Sequence, residues 1–400
     1  MQAYDNRGQY CPLFFDGRGT PMIYLDHAAT SFPKPKGVIE KMGICMRNYC
    51  GNPGRSGHKM SMLMGEKIYE TRKELAAFLG VRDPSRLLFT KNTTESLNLA
   101  LFGYLKEGDH VVTTSMEHNS MLRPLKELES REIRHTVVKA DSLGNVSADM
   151  LRDAVTDHTR LIAVTGASNV TGTILPLEEI GKMAKEQGIP LLVDGAQCIG
   201  KIPLHVENLG ISFFAFPGHK GLQGPPGTGG LYVEPRFRLK PLLYGGTGTL
   251  SKSRRQPVDF PEGYEAGTVN GPAIIGFGQG VKAVCKVGVE AIAFYERELI
   301  SYLEDMLRNM DGIACYGPES SKKTGICLFN IRGMSSEEVT DRLSRDYEIA
   351  VRGGFHCAGL AHETLGTSDH GAVRLSVGPF NTRKEIQTAA EAIWRLTKTQ

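Results

Sequence analysis

Six short apolar runs punctuate the first two thirds of the chain, at residues 87–90, 110–114, 161–165, 190–193, 212–216 and 230–233. Several are separated by amphipathic patterns of helical period, such as Leu177, Ile180, Met183 and Ala184 ahead of Gly188. Strand-like runs alternating with helix-like segments predict an α/β fold, a mostly parallel sheet covered by helices. In such sheets ligands gather at the carboxyl ends of the strands. After about Gly280 the pattern changes. A long helical region (281–310) precedes a strand-like run at 326–331 and a helix over 336–347. Two more strand-like runs follow at 349–352 and 372–377, then a final helix over 383–396. The expected layout is therefore a large domain over 36–279 and a smaller α+β C-terminal domain over 280–400. Residues 22–35 form a segment associated with the functional site and the small domain, and residues 1–21 a poorly structured extension, with Met22 as a possible start.

Composition narrows the partners. The 47 Lys and Arg against 44 Asp and Glu leave a formal charge of +3, which implies no broad surface for nucleic acid but permits a local phosphate pocket. Eight cysteines without dense or regular spacing read as reduced thiols rather than a disulfide framework, which points to the cytoplasm. No apolar stretch approaches the roughly 20 residues that cross a bilayer, and Cys11-Pro-Leu-Phe-Phe15 is too short for a signal sequence. No metal is expected, because Cys357 with His356, His362 and His370 fits no compact ligand spacing. Cys45 and Cys50 read as structural thiols, and the glycines at 224–230 as a turn entering a strand.

Candidate chemistry centres on Lys220, which follows the run ending at Phe216. An amine just beyond a buried strand is partly desolvated, which lowers its pKa and suits it to Schiff-base formation with an aldehyde cofactor. Asp194 ends the run at 190–193 and suits a pyridinium nitrogen. Pyridoxal phosphate needs both partners. A third element fits them. The run at 87–90 leads through Asn92 into Thr93 and Thr94, where helical spacing of Leu97, Ala100, Leu101, Tyr104 and Leu105 begins. Free N–H groups, a positive dipole end and two hydroxyls there form a phosphate cup, alongside the plainer role of Asn92 or Thr93 as a cap.

From about Tyr24 to the C-terminus the chain resembles the cysteine desulfurases of the class V aminotransferase fold, in the SufS-like group. The segments that carry the resemblance are Tyr24-Leu-Asp-His-Ala-Ala29, Thr93-Thr-Glu95, Glu117-His118, Ser168-Asn-Val-Thr-Gly-Thr173, Asp194-Gly-Ala-Gln197, Gly218-His-Lys220, Glu265-Ala-Gly-Thr268, Arg352-Gly-Gly-Phe-His-Cys-Ala358 and Arg374. The resemblance implies the pyridoxal-phosphate transferase fold of type I and definite roles. Lys220 would form the Schiff base, Asp194 would pair with the ring nitrogen, His118 would stack on the ring and Gln197 would contact its phenolic oxygen. Thr93, Thr94 and His219 would bind the phosphate, joined by Thr268 of a neighbouring subunit in a homodimer. Arg374 would clamp the carboxylate of L-cysteine, with Asn169 positioning substrate and cofactor and Arg352 and His27 as further substrate contacts. Cys357 would take the sulfur as a persulfide, for delivery to an acceptor protein in iron–sulfur cluster assembly, and alanine would be released. Two positions depart from the pattern. Pro217 stands where a serine is usual, and Phe355-His356 where two histidines precede the cysteine. The rival readings are another enzyme of this fold (selenocysteine lyase, aminotransferase or carbon–carbon lyase) and a non-catalytic sulfur-carrier or scaffold subunit.

Overall fold

The computed structural model describes residues 22–54 and 56–398; the expected extension 1–21 lies outside the described residues. In chain order the elements are β1 (Ile23–Tyr24), α1 (Lys36–Asn48), α2 (Lys59–Leu79), β2 (Leu87–Thr90), α3 (Thr93–Tyr104), β3 (His110–Thr114), α4 (Asn119–Leu128), β4 (Arg134–Val138), α5 (Ala148–Asp153), β5 (Thr159–Thr165), α6 (Leu177–Glu186), β6 (Leu191–Asp194), β7 (Phe213–Pro217) and β8 (Gly229–Val233). They continue with α7 (Gly271–Val287), α8 (Val289–Arg308), β9 (Ile313–Tyr316), β10 (Ile326–Ile331), α9 (Ser336–Tyr347), β11 (Ile349–Ala350), α10 (Gly359–Leu365), β12 (Val373–Ser376) and α11 (Arg383–Thr397).

All six apolar runs of the first part become strands of one seven-stranded sheet, ordered β2-β8-β7-β6-β5-β3-β4. The pairs from β7 through β4 are parallel, and β8 runs antiparallel to both its neighbours. The runs are continuously apolar because both faces are buried. Val112, Ile162, Val164, Leu191, Val193, Phe214 and Phe216 face one core. Their neighbours Val111, Leu161, Ala163, Leu192, Phe213 and Ala215 face the other, as the two-residue period of a strand requires. The edge strand β4 escaped the sequence pattern because its residues are mostly half-buried or exposed.

A second core fills a three-stranded antiparallel sheet, β12-β10-β9, against α8, α9 and α11. The N-terminal segment belongs with it: Leu25 is in that core, and β1 pairs in parallel with β11. The expected helix at 281–310 is corrected to two. Gly288, with φ of 90°, breaks it, and α7 begins ten residues earlier than expected, at Gly271. Glycines at 271, 276, 278 and 280 hid that start, since glycine disfavours helix interiors. Packing requires them. A Cβ on Gly280 would lie 2.4 Å from the carbonyl oxygen of Leu222, in the loop that follows Lys220. The expected strands at 349–352 and 372–377 shorten to β11 and β12, with one further bridge between Arg352 and Arg374.

Candidate active site

Strands β3, β5, β6 and β7 share one direction, so their carboxyl ends deliver their loops to one edge of the sheet. Thr165 ends β5, Asp194 ends β6, Lys220 follows β7 and His118 follows β3. A cavity of about 110 Å³ opens there. Eight expected site residues line it: Thr93, Thr94, His118, Asn169, Asp194, Gln197, His219 and Lys220. Asn92, Ser120, Thr165 and Ala196 complete the wall.

Burial sets the charges. Lys220 is pushed down to about 8 by desolvation, with Asp194 opposing the shift. Asp194 is 2% exposed; burial pushes its carboxyl up, while the N–H of Ala196 (2.9 Å to Oδ1) and the Lys220 cation pull it down. His118 and His219 are both held near about 4 by burial and then by Lys220, so both rings are neutral at pH 7. His118 caps α4: its Nδ1 accepts from the backbone N–H of Ser120 at 3.0 Å, which leaves its proton on Nε2. Asn92 caps α3 by accepting from the N–H of Glu95 at 2.9 Å. The cap reading of that junction holds for Asn92, which uses the Glu95 donor, and Thr93 and Thr94 line the cavity.

The Lys220 loop is anchored by contacts that the sequence did not announce. The carbonyl of His219 accepts from the N–H of Ser31 (3.0 Å), from Thr30 Oγ1 (3.1 Å) and from Lys34 Nζ (2.8 Å). Desolvation brings Lys34 itself down to about 8. Below the cavity, Glu117 is fully buried. It accepts from Thr114 Oγ1 at 2.6 Å and the N–H of Thr165 at 2.9 Å, and its Oε2 has no partner. Burial first, and the charge of Asp194 last, raise it to about 8. The pair Glu117-His118 was visible in the sequence, but a neutral carboxyl depends on depth, which no local pattern encodes.

The remaining candidates, Arg374, Cys357, Arg352, His27 and Thr268, are not among the residues that line the cavity. Arg374 is 1% exposed and already engaged: Nη2 donates to Asp26 Oδ1 at 2.8 Å and Nη1 to the carbonyl of Asn169 at 2.9 Å, while Nε has no partner. Asp26 therefore aims the guanidinium, a role unassigned from sequence although Asp26 lies within Tyr24–Ala29. Cys357 is exposed, and Arg352 Nη2 lies 3.8 Å from its sulfur. A groove of about 430 Å³ joins Cys357 to Thr94, His118 and Ser120, three residues of the cavity wall. His27 is not among the cavity-lining residues; it is buried under Gly378 with both ring nitrogens unpartnered and lowered to about 3 by burial. Thr268 is exposed and also outside the wall, 3.5 Å from Asn52 Nδ2. Its loop is fixed by Glu265, which accepts from both terminal guanidinium nitrogens of Arg72, Nη1 and Nη2, at 2.8 Å each.

The family profile of class V aminotransferases matches residues 23–388. A probable cysteine desulfurase of Methanothermobacter thermautotrophicus is 37% identical over 382 residues, covering 93% of this chain and 94% of that relative. A probable cysteine desulfurase of Pyrococcus abyssi is 36% identical over 389 residues, covering 94% of each. Among solved structures, the apo cysteine desulfurase from Thermococcus onnurineus NA1 superposes with a TM-score of 0.89 at 34% identity, covering 95% of both chains. A strand-end cavity built around Lys220 and Asp194, on a fold shared nearly end to end with these proteins, leads to one assignment: the chain belongs to the class V aminotransferase family, within its cysteine desulfurases.

Proposed function

We propose that the protein is a pyridoxal-phosphate-dependent cysteine desulfurase that converts L-cysteine to L-alanine and leaves the sulfur on Cys357 as a persulfide. The observation that carries this reading is the continuity of cavity and groove: Lys220 and Asp194 lie in the cavity wall, and Cys357 borders the groove that shares Thr94, His118 and Ser120 with it.

The residues present fit the cofactor. Lys220 offers an amine that burial keeps near neutrality, and Asp194 a buried carboxylate for a ring nitrogen. The buried Gln197 Oε1 has no protein partner, so the wall has unmet hydrogen-bonding capacity. Thr93, Thr94 and His219 would hold the phosphate at the positive end of α3. Pro217 pairs with Gly229 inside the sheet and offers neither hydroxyl nor N–H, so any phosphate contact made by the serine usual at that position would fall to its neighbours. When bound, the cofactor supplies an aldehyde for amines and an electron sink for charge developing on the substrate Cα.

The chain's own groups divide the remaining work. Arg374, held by Asp26, receives the substrate carboxylate, with its unpartnered Nε as the free donor. Lys220 moves the Cα proton, because an amine lowered to about 8 has a neutral fraction of about a tenth at pH 7, far above that of an ordinary lysine. Cys357 then attacks the substrate sulfur as a thiolate, with the Arg352 cation beside it. The S–S bond forms as the Cβ–S bond breaks, and the fragment keeps that electron pair until protonation gives alanine. The exposure of Cys357 suits hand-over to a sulfur-acceptor protein. Thr268, exposed and outside its own cavity wall, suits a contact with the phosphate of a second subunit, hence a homodimer. The test is product analysis: purified protein with L-cysteine and a reductant should release alanine and sulfide in equal amounts, whereas a 2-oxo acid would mark transamination.

A further inference from the structure

The turn carrying Cys357 adopts an uncommon shape. His356 and Cys357 are consecutive non-glycine residues with φ of 52° and 57°. A Cβ makes that left-handed region costly, and it persists only where surrounding contacts enforce it. Those contacts run through a buried pair of imidazoles. His356, 2% exposed, places Nε2 3.2 Å from the carbonyl oxygen of Arg352 and Nδ1 3.2 Å from Nε2 of His362. His362, on α10 and fully buried, meets the Thr367 hydroxyl through its Nδ1 at 2.7 Å. The two rings are nearly parallel, 14° apart, with centroids 5.4 Å apart.

Donor logic fixes the direction of the chain. A carbonyl only accepts, so His356 Nε2 bears the proton and its Nδ1 accepts. His362 Nε2 therefore donates, and its Nδ1 accepts from Thr367. Each ring is neutral and fully used. The chain ties the start of the turn, at Arg352, to α10 and the residue beyond its glycine cap. Phe355, where the family pattern has histidine, lies edge-on to His362 at 5.5 Å. At the other end, Asn119 N–H donates to the Cys357 carbonyl at 2.7 Å, and Asn169 Nδ2 donates to that of His356 at 2.8 Å.

We propose that His362 and Thr367 are positioning residues for sulfur transfer. Acting through His356, they hold the left-handed turn that keeps the Cys357 sulfur beside Arg352, and they take no part in substrate capture. The inference rests on the reading of Cys357 as sulfur acceptor, and the experiment separates the two. The cofactor-loaded protein is mixed with L-cysteine without reductant, and two events are followed: the absorption change on substrate binding, and persulfide on Cys357 by mass spectrometry. His362→Leu should keep the amplitude and substrate dependence of the first event, within about twofold, and slow the second about tenfold or more. His362→Gln, whose amide can still donate to His356, should regain most of the lost rate. Thr367→Val, close in shape and missing only the hydroxyl, should reproduce the split more mildly. Cys357→Ala is the control. If it forms alanine at the wild-type rate, the reading of Cys357 falls and takes the proposal with it. If it is inert while His362→Leu and Thr367→Val form persulfide normally, or lose binding and transfer alike, the positioning role is overturned and Cys357 stands.

Discussion

Asp194 ends β6 and Lys220 follows the adjacent β7, and each shifts the other's pKa so as to favour its charged form. Lys220→Ala should leave the protein colourless and inactive, since the Schiff-base amine and the proton carrier are one group; an absorption spectrum and an alanine assay check both. Arg374→Ala should weaken L-cysteine binding by roughly 2–5 kcal/mol, because it leaves a buried carboxylate pair without its partner; an unchanged substrate dependence would remove Arg374 from the site. Glu117 gives a stability prediction. Its carboxyl is raised in the fold to about 8 from the ordinary 4.5, so the folded state holds a proton that the unfolded chain releases between those values. Stability from this group is thus fully present below the unfolded value and is lost as pH rises through the folded one. Glu117→Gln should gain on the wild type by on the order of a few kcal/mol between about pH 5 and about pH 8, read from urea midpoints. Equal differences at both pH values would contradict a neutral Glu117. Lys220 and Asp194 stood out by their positions at strand ends, and His118 only through the family resemblance. Glu117, Asp26 and Lys34 were not, because their roles depend on contacts between segments far apart in sequence.

Elements bring those residues into register. The strands were legible because burial on both faces writes uninterrupted apolar runs, and α3 because Asn92 and the leucine spacing mark its start. The start of α7 was illegible because glycines, poor helix formers, stand where it packs closely: Gly271, Gly276 and Gly278 against Met64, Met42 and Thr71, and Gly280 against the loop after Lys220. Gly280→Ala tests that statement. Helix propensity alone would favour alanine by roughly 1 kcal/mol, but its Cβ would press on the backbone of residues 222–224. The variant should instead be destabilised by about 1–3 kcal/mol and should retain pyridoxal phosphate less well, as judged by dialysis and absorbance. A more stable variant with full cofactor retention would show that the loop is not held by α7.

Over the whole molecule, two cores meet where the N-terminal segment crosses from the small sheet to the cavity. Leu25 packs in the small core, Asp26 holds Arg374, and Ala28 accepts from Gln197 at 2.9 Å. The α/β to α+β change was legible in the altered spacing after Gly280, whereas this crossing was not, because its pairings join residues more than 300 positions apart. Thr268 makes the dimer testable: the protein should sediment as a dimer, and Thr268→Ala should bind pyridoxal phosphate more weakly without changing that state. A monomer that retains its cofactor fully would refute shared sites. The central claim is that sulfur leaves L-cysteine for Cys357, and mass spectrometry of the Cys357 peptide tests it most directly. After brief mixing with L-cysteine in the absence of reductant, that peptide should carry one additional sulfur, in proportion to the alanine formed, and Cys357→Ala should yield neither product. Alanine formed at the wild-type rate by Cys357→Ala, with no sulfur gained at Cys357 in the wild type, would contradict it.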